Sequence, residues 1–201
     1  MRDMSLRAKK DEFMVPLARR LFGAVHPNTV SLIAMVVGLI AAVAILSEQY
    51  WIGLALWLLN RILDGLDGVV ARVHDKQSDF GGYLDLLLDF VVYLTVPMAF
   101  VWVQPTPFNL WALVALVAVY VLNTLSWTVL SAMLEKRQRA SARRLTSVEM
   151  PPGLIEGAET ILFYTLFFLL SAYVGYLYLL FSGLVIFTVA QRVWWAYQTL
   201  D

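Results

Sequence analysis

The amino-acid sequence predicts an all-α integral membrane protein with six transmembrane helices, preceded by an amphipathic N-terminal helix at the membrane interface. Of the 201 residues, 60% are hydrophobic and 15% are charged, whereas soluble domains are nearer half apolar and a quarter charged. The mean hydropathy is +0.71. Apolar stretches of about 20 residues, the length with which a helix crosses the hydrocarbon layer, recur along the chain.

Six stretches are predicted to cross the membrane as helices: residues 29–47, 51–72, 80–103, 108–134, 155–172 and 174–197. The second and third are unusual because both carry acidic residues at one end. The gap between the fifth and sixth is so short that a tight turn is expected at residues 171–174. We interpret residues 1–201 as a single membrane-embedded domain with a six-helix core at 29–197.

The first 25 residues follow a different pattern. Large apolar side chains recur there at spacings that place them on one helical face, opposite basic residues: Leu6, Phe13, Leu17, Leu21 and Phe22. This pattern indicates an amphipathic helix that lies on the membrane surface. Pro27 and Asn28 mark the turn into the first span, and Asn28 is expected to cap that helix.

The positive charges predict the orientation of the spans. Six of the 15 Lys and Arg residues precede the first span, and the connections at 48–50, 104–107 and 172–174 contain none. The positive-inside rule then places both termini and the 2–3 and 4–5 connections in the cytoplasm. The net charge of zero gives no general attraction to nucleic acid, and the absence of cysteine excludes disulfides and thiolate metal sites.

Four aspartates at the ends of two consecutive apolar helices are the most informative feature. Asp64 and Asp67 are three residues apart on the second span. Asp85 and Asp89 are four residues apart on the third. Each spacing places its two carboxylates on one face of the helix. Because a short loop joins these helices as antiparallel neighbours, we expect the four carboxylates to converge at the cytoplasmic ends.

Converging carboxylates in a membrane protein need cations. Four of them cannot all stay ionised in a low dielectric without compensation, and Arg61 and Arg72 are the only basic residues close to them in sequence. Oxygen ligands favour Mg²⁺, Mn²⁺ or Ca²⁺ over zinc or copper. We therefore expect one of these divalent cations, and two such ions would balance the four charges.

The same stretch resembles, without a single departure, the signature of the CDP-alcohol phosphatidyltransferases. In this chain the signature reads Asp64-x2-Asp67-Gly68-x2-Ala71-Arg72-x8-Gly81-x3-Asp85-x3-Asp89. The resemblance covers about 26 residues and eight fixed positions, which makes it more specific than a short glycine motif. The six-span layout, the N-terminal helix and the Pro-Asn entry to the first span are similar as well.

The resemblance implies a phospholipid-biosynthetic reaction and a role for each signature residue. A phosphatidyl group of a CDP-lipid such as CDP-diacylglycerol would pass to a small alcohol acceptor, with release of CMP. Metal would be held by Asp64, Asp67, Asp85 and Asp89, and Asp89 would also be the catalytic base. The cytidine diphosphate would be bound by Gly68, Ala71, Arg72 and Gly81. A homodimer surrounded by membrane lipids is also implied.

Two other interpretations of the aspartates compete with this one. Solvated helix ends or an ion-pair network would explain single aspartates, but not four on matching faces. A transporter coupled to ions or protons is the alternative from another class, because acids inside a membrane also mark ion pathways. It would not require the glycines, Ala71 and Arg72 of the signature at their spacing.

The acceptor alcohol is unresolved by the sequence, and two regions are candidates for binding it. Glu156 and Glu159 open the fifth span and could recognise hydroxyls or a cationic head group, or simply favour the start of a helix. The basic 4–5 connection could hold a phosphorylated acceptor through Arg139, Arg143 and Arg144. Its simpler role is to set topology and contact anionic lipid head groups.

Overall fold

A computed structural model of the protein describes residues 14–16, 18–19, 25–140 and 153–200, without the side chains of residues 138–140. All regular structure in these ranges is helical, which confirms the all-α class. The α-helices are α1 (Pro27–Leu46), α2 (Tyr50–Val73), α3 (Asp79–Val103), α4 (Pro107–Ala140), α5 (Gly157–Leu169) and α6 (Val174–Leu200). A 3-10 turn at Ser171–Tyr173 lies between α5 and α6, where a tight turn was expected.

Among the described residues, four segments are long and apolar enough to cross a membrane. They are α1, α3, the part of α4 that ends at Arg137, and α6 with the turn before it. The 24 residues of α2 have sufficient length, but Arg61, Asp64 and Asp67 reduce its apolar character. The 13 residues of α5 rise only about 20 Å, less than the ~30 Å of hydrocarbon. The crossing of all six helices stays a prediction.

Two boundaries differ from the sequence prediction. The fourth helix continues to Ala140, so the first six residues of the predicted 4–5 loop are helical; Glu, Lys, Arg, Gln and Ala all favour helix. The expected cap Asn28 was wrong. His26 caps α1 instead, because its Nδ1 accepts the Asn28 N–H at 3.3 Å and Pro27 occupies the first turn, where its missing N–H costs nothing.

The N-terminal segment contacts the C-terminal half of α2, which carries the first half of the signature. The buried Ala18, flanked by Met14 and Val15, packs against a small apolar cluster on that helix: Leu66, Val69 and Val70. One ring nitrogen of His74, Nε2, lies 3.2 Å from the Ala18 carbonyl oxygen. Most of the predicted amphipathic helix at 1–25 lies outside the described residues, so that assignment stays a prediction.

The described residues form two compact units, of which the first extends to Pro105 and includes Phe168–Ser171. Within it α1 packs along both α2 and α3. Small side chains on α1 permit this close approach. A Cβ atom at Gly38 would lie 2.7 Å from both methyl groups of Val92 and 3.1 Å from the Asn60 amide nitrogen. This three-helix packing brings the aspartate-bearing ends of α2 and α3 together.

The second unit comprises Thr106–Phe167 and the residues after Ser171. Here α4 packs along α6, and buried aromatic residues fill the core, with a hydrogen bond of 2.8 Å between the hydroxyls of Tyr120 and Tyr164. The half-buried Arg192 donates to Asn123 Oδ1 at 2.6 Å. Polar groups on α4 therefore serve contacts within this unit.

Candidate active site

The signature residues lie on the C-terminal half of α2 and the N-terminal half of α3. A five-residue connection, residues 74–78, joins the two helices. Ser78 caps α3, with its hydroxyl accepting the Gly81 N–H at 3.0 Å. The cap fixes the start of α3 directly after the connection. The two halves of the signature therefore face each other.

An open cavity of about 180 Å³ lies between these elements and the start of α1. Its lining from α1, α2, the connection and α3 is Pro27, Asn28, Ser31, Asp67, Gly68, Ala71, Arg72, Lys76, Gln77, Ser78, Gly81, Gly82 and Asp85. All four residues expected to bind the nucleotide are among them. Sequence reasoning missed Ser31 and Lys76, which the helix packing and the connection bring to the same cavity.

The glycine of the signature on α3 marks a close approach of α3 to α1. A Cβ atom at Gly81 would lie 3.0 Å from Ser78 Oγ and 3.1 Å from Asn28 Oδ1. At Gly68 the nearest atom would be Arg72 Nη1, at 3.5 Å. Gly81 thus permits the helix contact, whereas a Cβ atom at Gly68 would make only an ordinary van der Waals contact with the guanidinium of Arg72.

The four aspartates meet as two close pairs, Asp67 beside Asp85 and Asp64 beside Asp89. The first pair lines the open cavity. The second lines a narrow gap behind it, which Asp85 also borders. The four carboxylates therefore converge as helical spacing predicts. One pair lies at the open cavity, and the other lies at the narrow gap.

Both carboxylate oxygens of Asp67 have a donor. Ser31 on α1 donates its hydroxyl proton to Asp67 Oδ2 at 2.5 Å, and both residues are buried. The other carboxylate oxygen, Oδ1, lies 2.5 Å from the Gly68 backbone nitrogen. These contacts fix the orientation of the carboxylate at the cavity wall.

Arg61 lies against the other pair, a contact that sequence reasoning did not predict. Its Nη2 donates to Asp89 Oδ1 at 2.9 Å, and its Nη1 lies 3.7 Å from Asp64 Oδ2. The sequence carried one signal, the position of Arg61 three residues before Asp64, which places both on one face of α2. The distance to Asp89 depends on the packing of α2 against α3.

Within the part of the chain that the structure describes, no group of three or more His, Asp or Glu side chains is arranged to hold a metal ion. The carboxylates stand in pairs, and Arg61 is the cation that contacts one pair. The chemistry of the donors still suits a hard divalent cation, because all are oxygens. Paired carboxylates also need a proton or a cation between them. The four aspartates fit such an ion chemically without being a preassembled cage.

The candidate acceptor residues have other roles where they are described. Glu156 Oε1 accepts the Gly153 N–H at 3.1 Å, and Glu159 Oε2 accepts the Glu156 N–H at 3.1 Å. The second contact is the reciprocal half of a helix capping box at the start of α5. Arg139 lies in the last turn of α4, and Arg143 and Arg144 lie outside the described residues.

Comparison with known proteins identifies the family. The sequence model of the CDP-alcohol phosphatidyltransferases matches residues 24–195. The chain belongs to the CDP-alcohol phosphatidyltransferase family. This phosphatidyltransferase is 34% identical over 179 residues to the inner membrane protein YnjF of Escherichia coli, covering 88% of this chain and 85% of that one. It is 39% identical over 79 residues to a bifunctional IPC transferase and DIPP synthase of Archaeoglobus fulgidus, covering 39% and 16% respectively.

A solved structure has a similar fold. The phosphatidyltransferase superposes on Mycobacterium tuberculosis phosphatidylinositol phosphate synthase (PgsA1), determined with CDP-DAG bound, with a TM-score of 0.71. The superposition covers 90% of this chain and 92% of that one, at 17% sequence identity. The arrangement of helices described above is thus the fold of that enzyme.

Family membership confirms the predicted reaction class. The protein is a multi-pass membrane enzyme of phospholipid biosynthesis that transfers a phosphatidyl group from a CDP-lipid to an alcohol. The family is generally dependent on divalent metal. The alternative of an ion-coupled transporter is set aside, because the family match covers the signature together with most of the chain.

Proposed function

We propose that the cavity between α1, α2 and α3 binds the cytidine diphosphate of the donor lipid through Gly68, Ala71, Arg72 and Gly81. The observation that carries this proposal is the assembly of these four residues around one opening together with Asp67 and Asp85. Arg72 and Lys76 at the cavity supply positive charge, and the N-terminal end of α3 adds the positive end of its helix dipole, which suits a diphosphate. The absence of a side chain at Gly68 would let a flat base approach the backbone of α2.

We further propose that Asp64, Asp67, Asp85 and Asp89 hold Mg²⁺ or Mn²⁺, two ions in the complete site. A bound divalent ion would neutralise the diphosphate and favour departure of CMP. The hydrogen bond from the Ser31 hydroxyl orients the Asp67 carboxylate at the wall of the cavity. The close pairing of the carboxylates supports this proposal, because such pairs need positive charge between them.

Asp89 is the proposed general base. In the reaction the acceptor oxygen forms a bond to the phosphorus next to the lipid, and the bond from that phosphorus to the oxygen of CMP breaks. The hydroxyl proton passes to Asp89, and CMP leaves with the bonding electron pair. Asp89 borders the narrow gap behind the cavity together with Asp85. This position supports attack from the side opposite to the nucleotide.

The proposed setting is a single six-helix domain, covering residues 1–201, with both termini and the active site on the cytoplasmic side. The distribution of Lys and Arg supports this orientation. Acyl chains of the donor would remain in lipid while its nucleotide faces water. The N-terminal amphipathic segment, predicted from the spacing of its apolar residues, and a homodimer, implied by the resemblance to the family, complete the proposal.

The acceptor stays unresolved. The two glutamates at the start of α5 bind backbone N–H groups, which accounts for them without any acceptor. A contact of Glu156, Glu159, Arg139, Arg143 or Arg144 with the acceptor remains a prediction. Inositol phosphate, glycerol 3-phosphate, serine and choline are all compatible with the donor half of the site.

The function is tested by following CMP release from CDP-diacylglycerol with purified protein, Mg²⁺ or Mn²⁺, and a panel of single acceptors. We expect release that requires one acceptor and is abolished by EDTA. Asp67→Asn is the matched inactive control, since it keeps the shape of the side chain and removes its charge. Release that persists in EDTA would contradict the metal assignment, and absence of release with every acceptor would contradict a CDP-diacylglycerol donor.

A further inference from the structure

Arg61 is enclosed within the three-helix unit. Only 8% of its surface is exposed, which is unusual for arginine and requires that its charge and donors be satisfied. Its three nitrogens each have a partner: Nε–H donates to Asn60 Oδ1 at 2.7 Å, Nη1 to the Tyr93 hydroxyl at 2.9 Å, and Nη2 to Asp89 Oδ1 at 2.9 Å. The guanidinium is thus held in one orientation.

Two aromatic rings enclose the same guanidinium. Its central carbon lies 4.8 Å from the centroids of both Trp57 and Tyr93, a distance at which the ring faces attract a cation. Trp57 is on α2 and Tyr93 is on α3, and the two rings meet edge to face, 6.0 Å apart. The planar guanidinium can stack between the two rings and donate several hydrogen bonds in fixed directions, whereas a lysine ammonium could do neither.

Asn60 connects the arginine to α1. Its amide nitrogen donates to the Ala34 carbonyl oxygen at 2.7 Å, which leaves its carbonyl oxygen facing Arg61. The absence of a side chain at Gly38 makes room for Asn60, since a Cβ there would lie 3.1 Å from its nitrogen. All three helices of the unit therefore take part in orienting one positive charge.

That charge is directed at the carboxylate pair behind the cavity. Asp89 is contacted at 2.9 Å and Asp64 at 3.7 Å, and the two carboxylates lie beside each other. The side chains of Asp64 and Asp89 are about three-quarters buried. One permanent cation between two such anions holds both in place, and its removal would leave uncompensated buried charge.

We propose that Arg61 is a positioning residue that acts as the built-in counter-ion of Asp64 and Asp89. The inference rests on the proposed roles of these aspartates. Arg61 has two consequences there: it keeps the base Asp89 oriented before any metal binds, and its charge opposes the binding of a divalent cation to the same carboxylates. The site is therefore stable without metal, and its metal affinity is lower than that of the four carboxylates alone.

The first test uses the full-length protein in detergent and measures thermal unfolding in EDTA and across a Mn²⁺ titration, comparing wild type with Arg61→Gln. In EDTA we expect the midpoint temperature of the variant to fall by roughly 5 °C or more, because a buried ion pair is broken. The Mn²⁺ concentration at half-maximal stabilisation should fall about tenfold, because a nearby positive charge has been removed. An unchanged or higher Mn²⁺ midpoint would overturn the proposal.

Arg192→Gln is the matched control for this titration. Arg192 is also a partly buried helical arginine, but its hydrogen bonds go to the neutral Asn123 and Ser126, and its nearby carboxylate, Glu156, lies outside the aspartate site. Its loss should lower stability without moving the Mn²⁺ midpoint. A shift in this control equal to that in Arg61→Gln would contradict a specific role for Arg61. If Arg61→Gln unfolds in EDTA, recovery of the folded protein with Mn²⁺ supports the proposal, and failure to recover contradicts it.

The second test separates position from charge through Arg61→Lys. This variant keeps the charge, so we expect its Mn²⁺ midpoint to stay within about twofold of wild type. The lysine cannot satisfy Asn60, Tyr93 and Asp89 together, so kcat should fall at least tenfold while the donor KM changes less than threefold. A kcat equal to that of wild type would show that the orientation of Asp89 does not depend on the guanidinium.

Failure of this proposal differs from failure of the proposed function. The unfolding measurements need no substrate, so they report on Arg61 even if wild type transfers no phosphatidyl group. Wild-type protein that releases CMP with an unshifted Mn²⁺ midpoint in Arg61→Gln would overturn the role of Arg61 alone. An inactive wild type with a shifted midpoint would leave the counter-ion in place and overturn the transfer assignment.

Discussion

The chain contains two pairs of acidic residues with the same three-residue spacing, and their surroundings differ. Asp64 and Asp67 on α2 face the carboxylates of Asp89 and Asp85. Glu156 and Glu159 at the start of α5 accept backbone N–H groups. The aspartates bring negative charges close to one another. Each glutamate instead accepts a hydrogen bond from a neutral backbone N–H group three residues away.

This difference separates a site from a helix end. Carboxylates that face one another are destabilising unless a cation or proton joins them, so such an arrangement persists only where it has a use. Carboxylates at a helix N-terminus stabilise the fold directly, through hydrogen bonds and the helix dipole. The residue spacing is the same in the aspartate pair and the glutamate pair, so the groups that contact each carboxylate decide its role.

Asp89→Asn tests the aspartate side of the comparison and should have the largest effect. The amide can still accept the hydrogen bond from Arg61, but it cannot take a proton from the acceptor. We expect kcat to fall about 1,000-fold, with donor affinity changed less than threefold. CMP release and direct binding of the CDP-lipid measure the two quantities.

The exposed Asp79 offers a matched control on the same helix. It lies in the first turn of α3, outside the lining of the cavity, so Asp79→Asn should leave turnover within twofold of wild type. Activity retained by Asp89→Asn would remove Asp89 from the role of base and weaken the contrast between the two acidic pairs.

Arg72→Ala tests whether the cavity binds the diphosphate and should have an intermediate effect. Charge-assisted hydrogen bonds to phosphate are stronger than neutral ones, so their loss should raise the donor KM at least tenfold. Arg72→Lys should raise the donor KM less than Arg72→Ala does, because lysine keeps the charge but cannot donate two parallel hydrogen bonds to a phosphate. The donor KM is measured from the dependence of the initial rate on CDP-diacylglycerol concentration. An unchanged donor KM in Arg72→Ala would count against a contact between Arg72 and the diphosphate.

Glu159→Ala tests the glutamate side and should have the smallest effect. Loss of the capping hydrogen bond to Glu156 should cost about 1 kcal/mol, which corresponds to a decrease of roughly 2–4 °C in the unfolding midpoint. Glu159→Gln keeps an acceptor oxygen and should lose less. Once an acceptor is identified, its KM should change less than twofold in both variants. A tenfold rise would instead assign Glu159 to the acceptor site.

The helices of the site were predictable, and the partners of its residues were less so. The predicted spans agree with α2 and α3 within two residues at each end, because apolar length is a local property. Four aspartates on facing sides also follow from helical spacing alone. The cap at His26 and the helical start of the 4–5 connection were mispredicted, because both depend on competition among several acceptable local structures.

By itself, the sequence determined the membrane class, the helical order and the eight signature residues with their faces, since composition and the 3.6-residue period act over a few turns. The tertiary structure decided that Asp67 pairs with Asp85 while Asp64 and Asp89 share Arg61. It also showed that Ser31 reaches Asp67 from a helix 36 positions earlier. Contacts between helices depend on which ridges and small residues meet, and side chains far apart in the chain are placed together only when the helices pack.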